Sequence, residues 1–243
     1  MSYAFRAWWG LPQVAFVWLL TGATLLALPG LRSAVDGLLQ AEPGTAAVAD
    51  APGPAPTPQQ ALPSGPAPAP PFFLQARTAA ESAQAIRCLA EAVYYEAGTE
   101  PVEGQRAVAQ VVLNRVRDPN FPSSVCGVVY QGHGRRTGCQ FSFACDGSLR
   151  RRPPTGAALS EARRIAEAAV HGYVVQEVGT ATHYHAAYVD PWWRPTLVQI
   201  ARVGDHIFYR WPGRAGTPQA LTDRYTPRAE LKYAAIARFA ARG

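Results

Sequence analysis

Between Cys88 and Arg106 an apolar helix ends, the chain turns, and a second helix begins, and this stretch commits the chain to a helical core. Ile86, Leu89, Ala90, Val93 and Ala97 follow the i, i+3, i+4, i+7, i+11 pattern of one buried stripe. Gly98 stops that helix. Pro101 suits the first turn of the next, which runs through Arg117 with Val108, Val111, Val112 and Val116 at helical spacing. At roughly 100° per residue, Glu96 falls about 20° from Leu89, at the edge of the apolar stripe, whereas Glu91 points to the opposite side and reads as solvated. A carboxylate at an apolar margin pays desolvation when ionised, so its pKa rises and it holds a proton near neutral pH. A general acid for glycosidic bond cleavage needs that property. A boundary glutamate that reaches water, or that caps the next helix, fits the same position.

The chain ahead of this core divides in two. From Leu11 to Leu28 it is apolar apart from Gln13 and a Thr-Gly-Ala-Thr centre, with Arg6 before it and Trp8 and Trp9 at its entry. Length and flanks suit a signal peptide or a retained signal-anchor helix, so residues 1–32 are assigned to export. Leu26-Ala-Leu28 matches a cleavage site poorly, which favours an anchor in the inner membrane over secretion. Residues 33–77 are read as a disordered linker rich in Ala and Pro, without the apolar periodicity a core needs. The folded domain is therefore expected to span residues 78–243 and to stand in the periplasm or cell envelope.

Four cysteines, all inside that domain, agree with export. Three connectivities are possible. The short loop Gln140-Phe-Ser-Phe-Ala144 favours Cys139 with Cys145, leaving Cys88 for Cys126. A zinc site with His133 lacks Cys-x2-Cys spacing. The formal charge is +6, carried almost wholly by arginine, with Lys232 the single lysine. Scattered arginines and the absence of a nucleic-acid motif argue against a nucleic-acid partner. Nothing in the sequence calls for a cofactor or identifies a protein partner.

A third helix is expected from an N-cap at Thr155 to about Val170, stopped by Gly172. Beyond Tyr173 the pattern shortens: Thr180–Val189, Leu197–Val203 and His206–Arg210 read as a small antiparallel sheet. A final helix over Pro227–Ala241 would pack Leu231, Ala234, Ala235 and Phe239 inward. The class is α+β, led by helices.

Several polar groups are candidates for substrate contact. Gln140, Phe141 and Ser142 offer amide, ring and hydroxyl on the cysteine-framed loop, a mix suited to a sugar cleft. Tyr95 adjoins Glu96, and Tyr94, Trp192 and Trp193 are further rings that either stack on sugars or fill the core. His183 and His185 share one strand face. With His206 they supply three imidazoles, for hydrogen bonding, packing or a metal, although no His-Glu-x-x-His signature accompanies them. Glu100, before Pro101, and Glu103 suit the positive N-terminus of the second helix.

Over residues 91–116, from Glu91-Ala-Val-Tyr-Tyr-Glu to Leu-Asn-Arg-Val116, the chain resembles the SleB-type cell-wall hydrolases, the family that includes spore-cortex-lytic enzymes. The likeness continues through Phe121–Gln131, Gly138–Gly147, Ala181–Ala187 and Val203–Arg210, in family order, within residues 86–212. Members usually read Glu-Ala-Arg-Gly-Glu where this chain has Glu-Ala-Gly-Thr-Glu, a change at the helix C-cap that keeps both glutamates. The resemblance implies a lysozyme-like helical core with a small antiparallel β-subdomain and Glu96 as the catalytic acid. It further implies cleavage of peptidoglycan between N-acetylmuramic acid and N-acetylglucosamine, as lytic transglycosylase or muramidase, with no metal. Two other readings remain: a wall-binding module without catalysis, and a metal-dependent amidase using the histidines.

Overall fold

A computed structural model describes residues 68–135 and 138–236. The candidate membrane segment, most of the linker and Phe239 lie outside these residues. Among the described residues no helix is long and apolar enough to cross a membrane.

Helix α1 spans Ala79–Ala97 and opens on a reciprocal cap: Glu81 N donates to Thr78 Oγ1 (3.2 Å) while Thr78 N donates to Glu81 Oε2 (3.0 Å). It closes at Gly98. Helix α2, Val102–Arg117, follows with Pro101 at its N-cap. Short α3, Val125–Val129, is capped by Ser124, whose Oγ accepts from Gly127 N (3.1 Å). After a 3₁₀ turn at Ser142–Ala144 come α4, Ser148–Arg151, and α5, Gly156–Val170. Thr155 occupies the N-cap of α5 but makes no side-chain capping bond.

Helix α1 lies at the centre, packed against α5, α2, α3 and the 3₁₀ segment Pro227–Tyr233. Leu89, Val93, Val112, Val116 and Val129 form the apolar heart. This centrality corrects the expectation for Glu91. A helix with neighbours on several sides has little free face, and Glu91 is buried with Tyr130 Oη donating to its Oε2 at 2.5 Å. Desolvation by burial raises its pKa.

Strands β1 (His183–Ala186), β2 (Val198–Val203) and β3 (His206–Arg210) form one antiparallel sheet in the order β1-β3-β2. β1 is shorter than expected because the chain turns at once: Val189 N donates to Ala186 O. Opposed pairs are His183 with Tyr209, Tyr184 with Phe208, His185 with Ile207 and Ala186 with His206. The inner face, bearing Phe208, packs with Ala107, Val111 and Ala181.

Two segments depart from expectation at the termini of the domain. Residues ahead of Thr78, assigned to the linker, pack onto it from Ala69. Ala69 and Phe72 are buried, Leu74 N donates to Val170 O, and Arg117 Nη1 donates to Pro70 O (2.7 Å). The Tyr225 ring meets Phe72 edge-on and the Arg117 guanidinium lies over it. Composition averaged over forty residues hid one aromatic anchor. In the C-terminal segment, Leu231 is exposed and Glu230 fully buried, contrary to the inward face expected from an α-helical phase. Residues 227–233 wind as 3₁₀, which re-phases the faces. The Glu230 carboxylate accepts from Val125 N and Cys126 N, both at 2.8 Å, at the N-terminus of α3.

Cys88 is joined to Cys126, and Cys139 to Cys145. The first bridge ties α1 to α3 within the core.

Candidate active site

Glu96 ends up where α1 runs out against the sheet. Tyr184, on the inner face of β1, donates its hydroxyl to Glu96 Oε2 at 3.3 Å. Burial raises the pKa of Glu96; the Tyr184 hydrogen bond and the positive charge of Arg115 oppose that shift, and Asp146 adds to it. Burial, and the nearby Glu96 charge, push the Tyr184 phenol well above its ordinary value, so it stays a proton donor.

Arg115 comes from the buried side of α2, one turn beyond Val111. It is 3% exposed and flanked by the rings of Phe121 and Phe141, 5.2 and 5.6 Å from its guanidinium carbon. Its Nε donates to Thr182 O at 2.6 Å, just ahead of β1, while its Nη1 is buried without a hydrogen-bond partner. Desolvation lowers its pKa to about 10, which still leaves it charged. Helix and strand thus bring a carboxylate, a phenol and a guanidinium to one low-dielectric corner. Tyr184 and Arg115 were not singled out in the sequence, though both carry a signal: Tyr184 alternates with two histidines, and Arg115 is a charge on the stripe of Val108 and Val111.

Glu100 has a different task. Its Oε2 accepts from Asp205 N (3.0 Å) and its Oε1 lies 3.6 Å from His206 Nδ1, so it fastens the α1–α2 turn to the β2–β3 turn. The approach at Gly204 is too close for a side chain: a Cβ there would stand 1.8 Å from Glu100 Oε2. Glu103 pairs with Arg106 on the surface. Asp146 is exposed and accepts from Ser148 N (2.7 Å), the first residue of α4, with its pKa lowered by that bond and by Arg151 and Arg152 against partial desolvation.

The three histidines do not converge. His183 and His185 share the outer face with Tyr209, where the ring of Trp193 meets both, whereas His206 is on the inner face edge-on to Tyr184. His185 Nε2 is bonded to Tyr209 Oη (2.8 Å). Burial, helped by Arg115, lowers the pKa of His183 to about 4, and burial also lowers that of His206. Among the described residues no group of three or more His, Cys, Asp or Glu is placed to hold a metal ion.

The cysteine-framed loop is split. Gln140 and Ser142 are exposed, but Phe141 is 2% exposed and belongs to the core. A ring serving as a wall for Arg115 cannot offer its face to a sugar. Tyr95 is half-buried, stacked on Phe143 at 4.6 Å, with its hydroxyl donating to Arg152 O (2.7 Å). Burial pushes its pKa up to about 12. It stands beside Glu96 in the chain as a packed, partly exposed ring.

These features describe a half-buried carboxylic acid between a helical core and a small sheet, and the chain is similar in sequence to known proteins. Residues 99–209 match a family model described as Cell Wall Hydrolase, a span that opens just beyond Glu96 and includes Glu100, Arg115, Tyr184 and His206. A spore cortex-lytic enzyme of Bacillus subtilis is 38% identical over 125 residues, 51% of this chain and 36% of that protein. Another, from Halalkalibacterium halodurans, is 38% identical over 127 residues, 51% of this chain and 34% of that protein. The matched region thus spans about a third of the length of these curated relatives. The solved catalytic domain of the Bacillus cereus SleB protein is 30% identical, covering 58% of this chain and 95% of that one, with a TM-score of 0.43. The chain belongs to the SleB-type cell-wall hydrolase family.

Proposed function

We propose that this domain cleaves the glycan strand of peptidoglycan between N-acetylmuramic acid and N-acetylglucosamine, with Glu96 as single acid and base. The observation that carries the reading is the desolvated Glu96 carboxyl held by the Tyr184 hydroxyl at 3.3 Å. Burial favours the protonated form that a leaving glycosidic oxygen requires. Once that proton is delivered, the ionised carboxylate is stabilised by the Tyr184 hydrogen bond and by the Arg115 charge, whose effect is large in a dry corner. The carboxylate then takes a proton either from the muramic C6 hydroxyl, closing an anhydro ring, or from water, giving a free reducing end. Asp146, exposed and committed to α4, makes a poor second carboxylate, which favours the single-acid route. Disulfides of the kind formed here suit an oxidising compartment. We place the domain in the periplasm or envelope, tethered to the inner membrane by residues 11–28.

Glu96→Gln removes the transferable proton and keeps size, so digestion of purified sacculi should fall by at least about 10²-fold with little change in unfolding midpoint. Mass analysis of the released muropeptides distinguishes anhydro from reducing ends, which differ by one water. Undiminished digestion by the Glu96→Gln variant would remove Glu96 from the mechanism. Release of stem peptides, abolished by EDTA, would favour the amidase reading instead.

A further inference from the structure

Most large rings of the domain are covered, yet the loop that leaves β1 holds two of them out. Tyr188 is 89% exposed and Trp192 is 87% exposed. Two large rings held this far into water on one loop are open to contact with a partner. The loop is also built, not loose. Ala187 N donates to Asp205 O (2.7 Å), Arg194 N to Pro191 O (3.0 Å), and Arg194 Nη1 to Asp190 Oδ1 (2.9 Å). Trp193 anchors it from beneath, its ring meeting His183, His185 and Tyr209. With its neighbour clamped and Pro191 before it, Trp192 is displayed on a fixed base.

A run of side-chain contacts links Trp193, at the base of this loop, to the surroundings of the acid. The Arg115 guanidinium, whose charge acts on Glu96, lies over Phe121. Phe121 meets His183 at 5.9 Å, and His183 meets Trp193 at 5.5 Å. Along the backbone, Tyr188 lies four positions beyond Tyr184 at Glu96, at most about 14 Å of chain. Exposed aromatic faces on a rigid loop suit the apolar faces of sugar rings, while Tyr and Trp add a polar edge for hydroxyl groups.

We infer that Tyr188 and Trp192 form a carbohydrate-stacking platform that holds the glycan strand at sugars beyond the scissile bond. This inference rests on the glycan-cleaving reading and adds how a long strand is kept on the enzyme. A platform of this kind acts on polymer affinity and not on the bond-breaking step.

The test uses the full chain. In the Glu96→Gln background, co-sedimentation with purified sacculi and isolated long glycan strands compares the parent with Trp192→Ala, Tyr188→Ala and the double substitution. Neither side chain supports the core, and unchanged melting temperatures check this. The double substitution should weaken strand binding about tenfold, with Trp192→Phe retaining most of it. In the active chain it should raise KM on long strands by a similar factor with kcat unchanged, and leave short muropeptide fragments unaffected. Equal strand binding by parent and double variant would overturn the platform. So would a selective loss of binding to anionic phospholipid vesicles, which would make these rings a membrane contact, or a change of oligomeric state alone, which would make them a self-association surface. Failure of the parent to cleave or bind any glycan would refute the underlying reading instead, so the two failures are separable.

Discussion

Glu230→Gln offers a direct measurement of what a buried carboxylate does to this domain. Glu230 is fully buried, and its carboxylate receives two backbone N–H bonds at 2.8 Å from the first turn of α3. Burial nevertheless dominates and pushes its pKa from 4.5 up to about 7, with Glu81 adding to the rise and the two N–H donors opposing it. The native state therefore keeps a proton across roughly pH 4.5–7 that the unfolded chain has already released, so stability falls as pH rises through that window and levels off above it. At about 1.36 kcal/mol per unit, the contribution is on the order of 3 kcal/mol. Glu91 and Glu96, also raised, contribute with the same sign. The informative quantity is thus the difference between the wild-type and Glu230→Gln slopes. Urea unfolding followed by far-ultraviolet circular dichroism between about pH 4.5 and 8, with disulfides intact, should show the wild type losing about 3 kcal/mol more than the variant. Glutamine forfeits one of the two accepted bonds, a roughly constant offset of about 1–2 kcal/mol that does not alter the slope. Parallel curves would refute the argument, because they would mean that the helix N-terminus keeps Glu230 ionised throughout.

Other expectations follow from the same packing. Beginning the domain at Thr78 should lower its stability relative to a start at Pro68, and Phe72→Ala alone should cost about 3 kcal/mol by thermal or urea unfolding; equal stability of all three would mean that the 69–77 segment packs without consequence. Glu91→Ala should destabilise by about 1–3 kcal/mol, since it strands the buried Tyr130 hydroxyl, with a partial return in Glu91→Ala/Tyr130→Phe. Additive losses in that double variant would show that the pair does not interact.

The helices were legible because their signals are local. The stripe around Leu89 and Val93, the stop at Gly98 and the proline at the start of α2 each specify a boundary through a few neighbouring residues. The strands were legible as short β-branched and aromatic runs, and the register then placed His206 on the face opposite His183, which the sequence could not show without a partner strand. Glu91 failed for a related reason. A single helical wheel assumes one buried face, and α1 has neighbours on several. Phe141 failed because alternation says which side chains share a face but not which face is dry. Of the candidate site, Glu96 was singled out as a carboxylate on an apolar margin. Tyr184 and Arg115 were not, since their roles depend on a meeting of α1, α2 and β1 that no local pattern encodes. Glu230 was invisible for the same reason: its partners are backbone amides 105 and 104 residues away.

The clamp on residues 69–77 also determines how the domain would bear mechanical load. Any pull arriving from the chain ahead of Pro68 meets Pro70 first, held by Arg117, and then Phe72, seated between Arg117 and Tyr225. Tension is thereby passed to the C-terminal end of α2 and to α5 through Leu74, before it reaches the first residue of α1. The helix that carries Glu96 lies downstream of that grip, with its own start fastened by the Thr78–Glu81 cap. Tension on the chain ahead of Pro68 would therefore fall on a short extended segment before it fell on the helix that carries Glu96. For a domain tethered as proposed above, the clamp would serve as a strain relief.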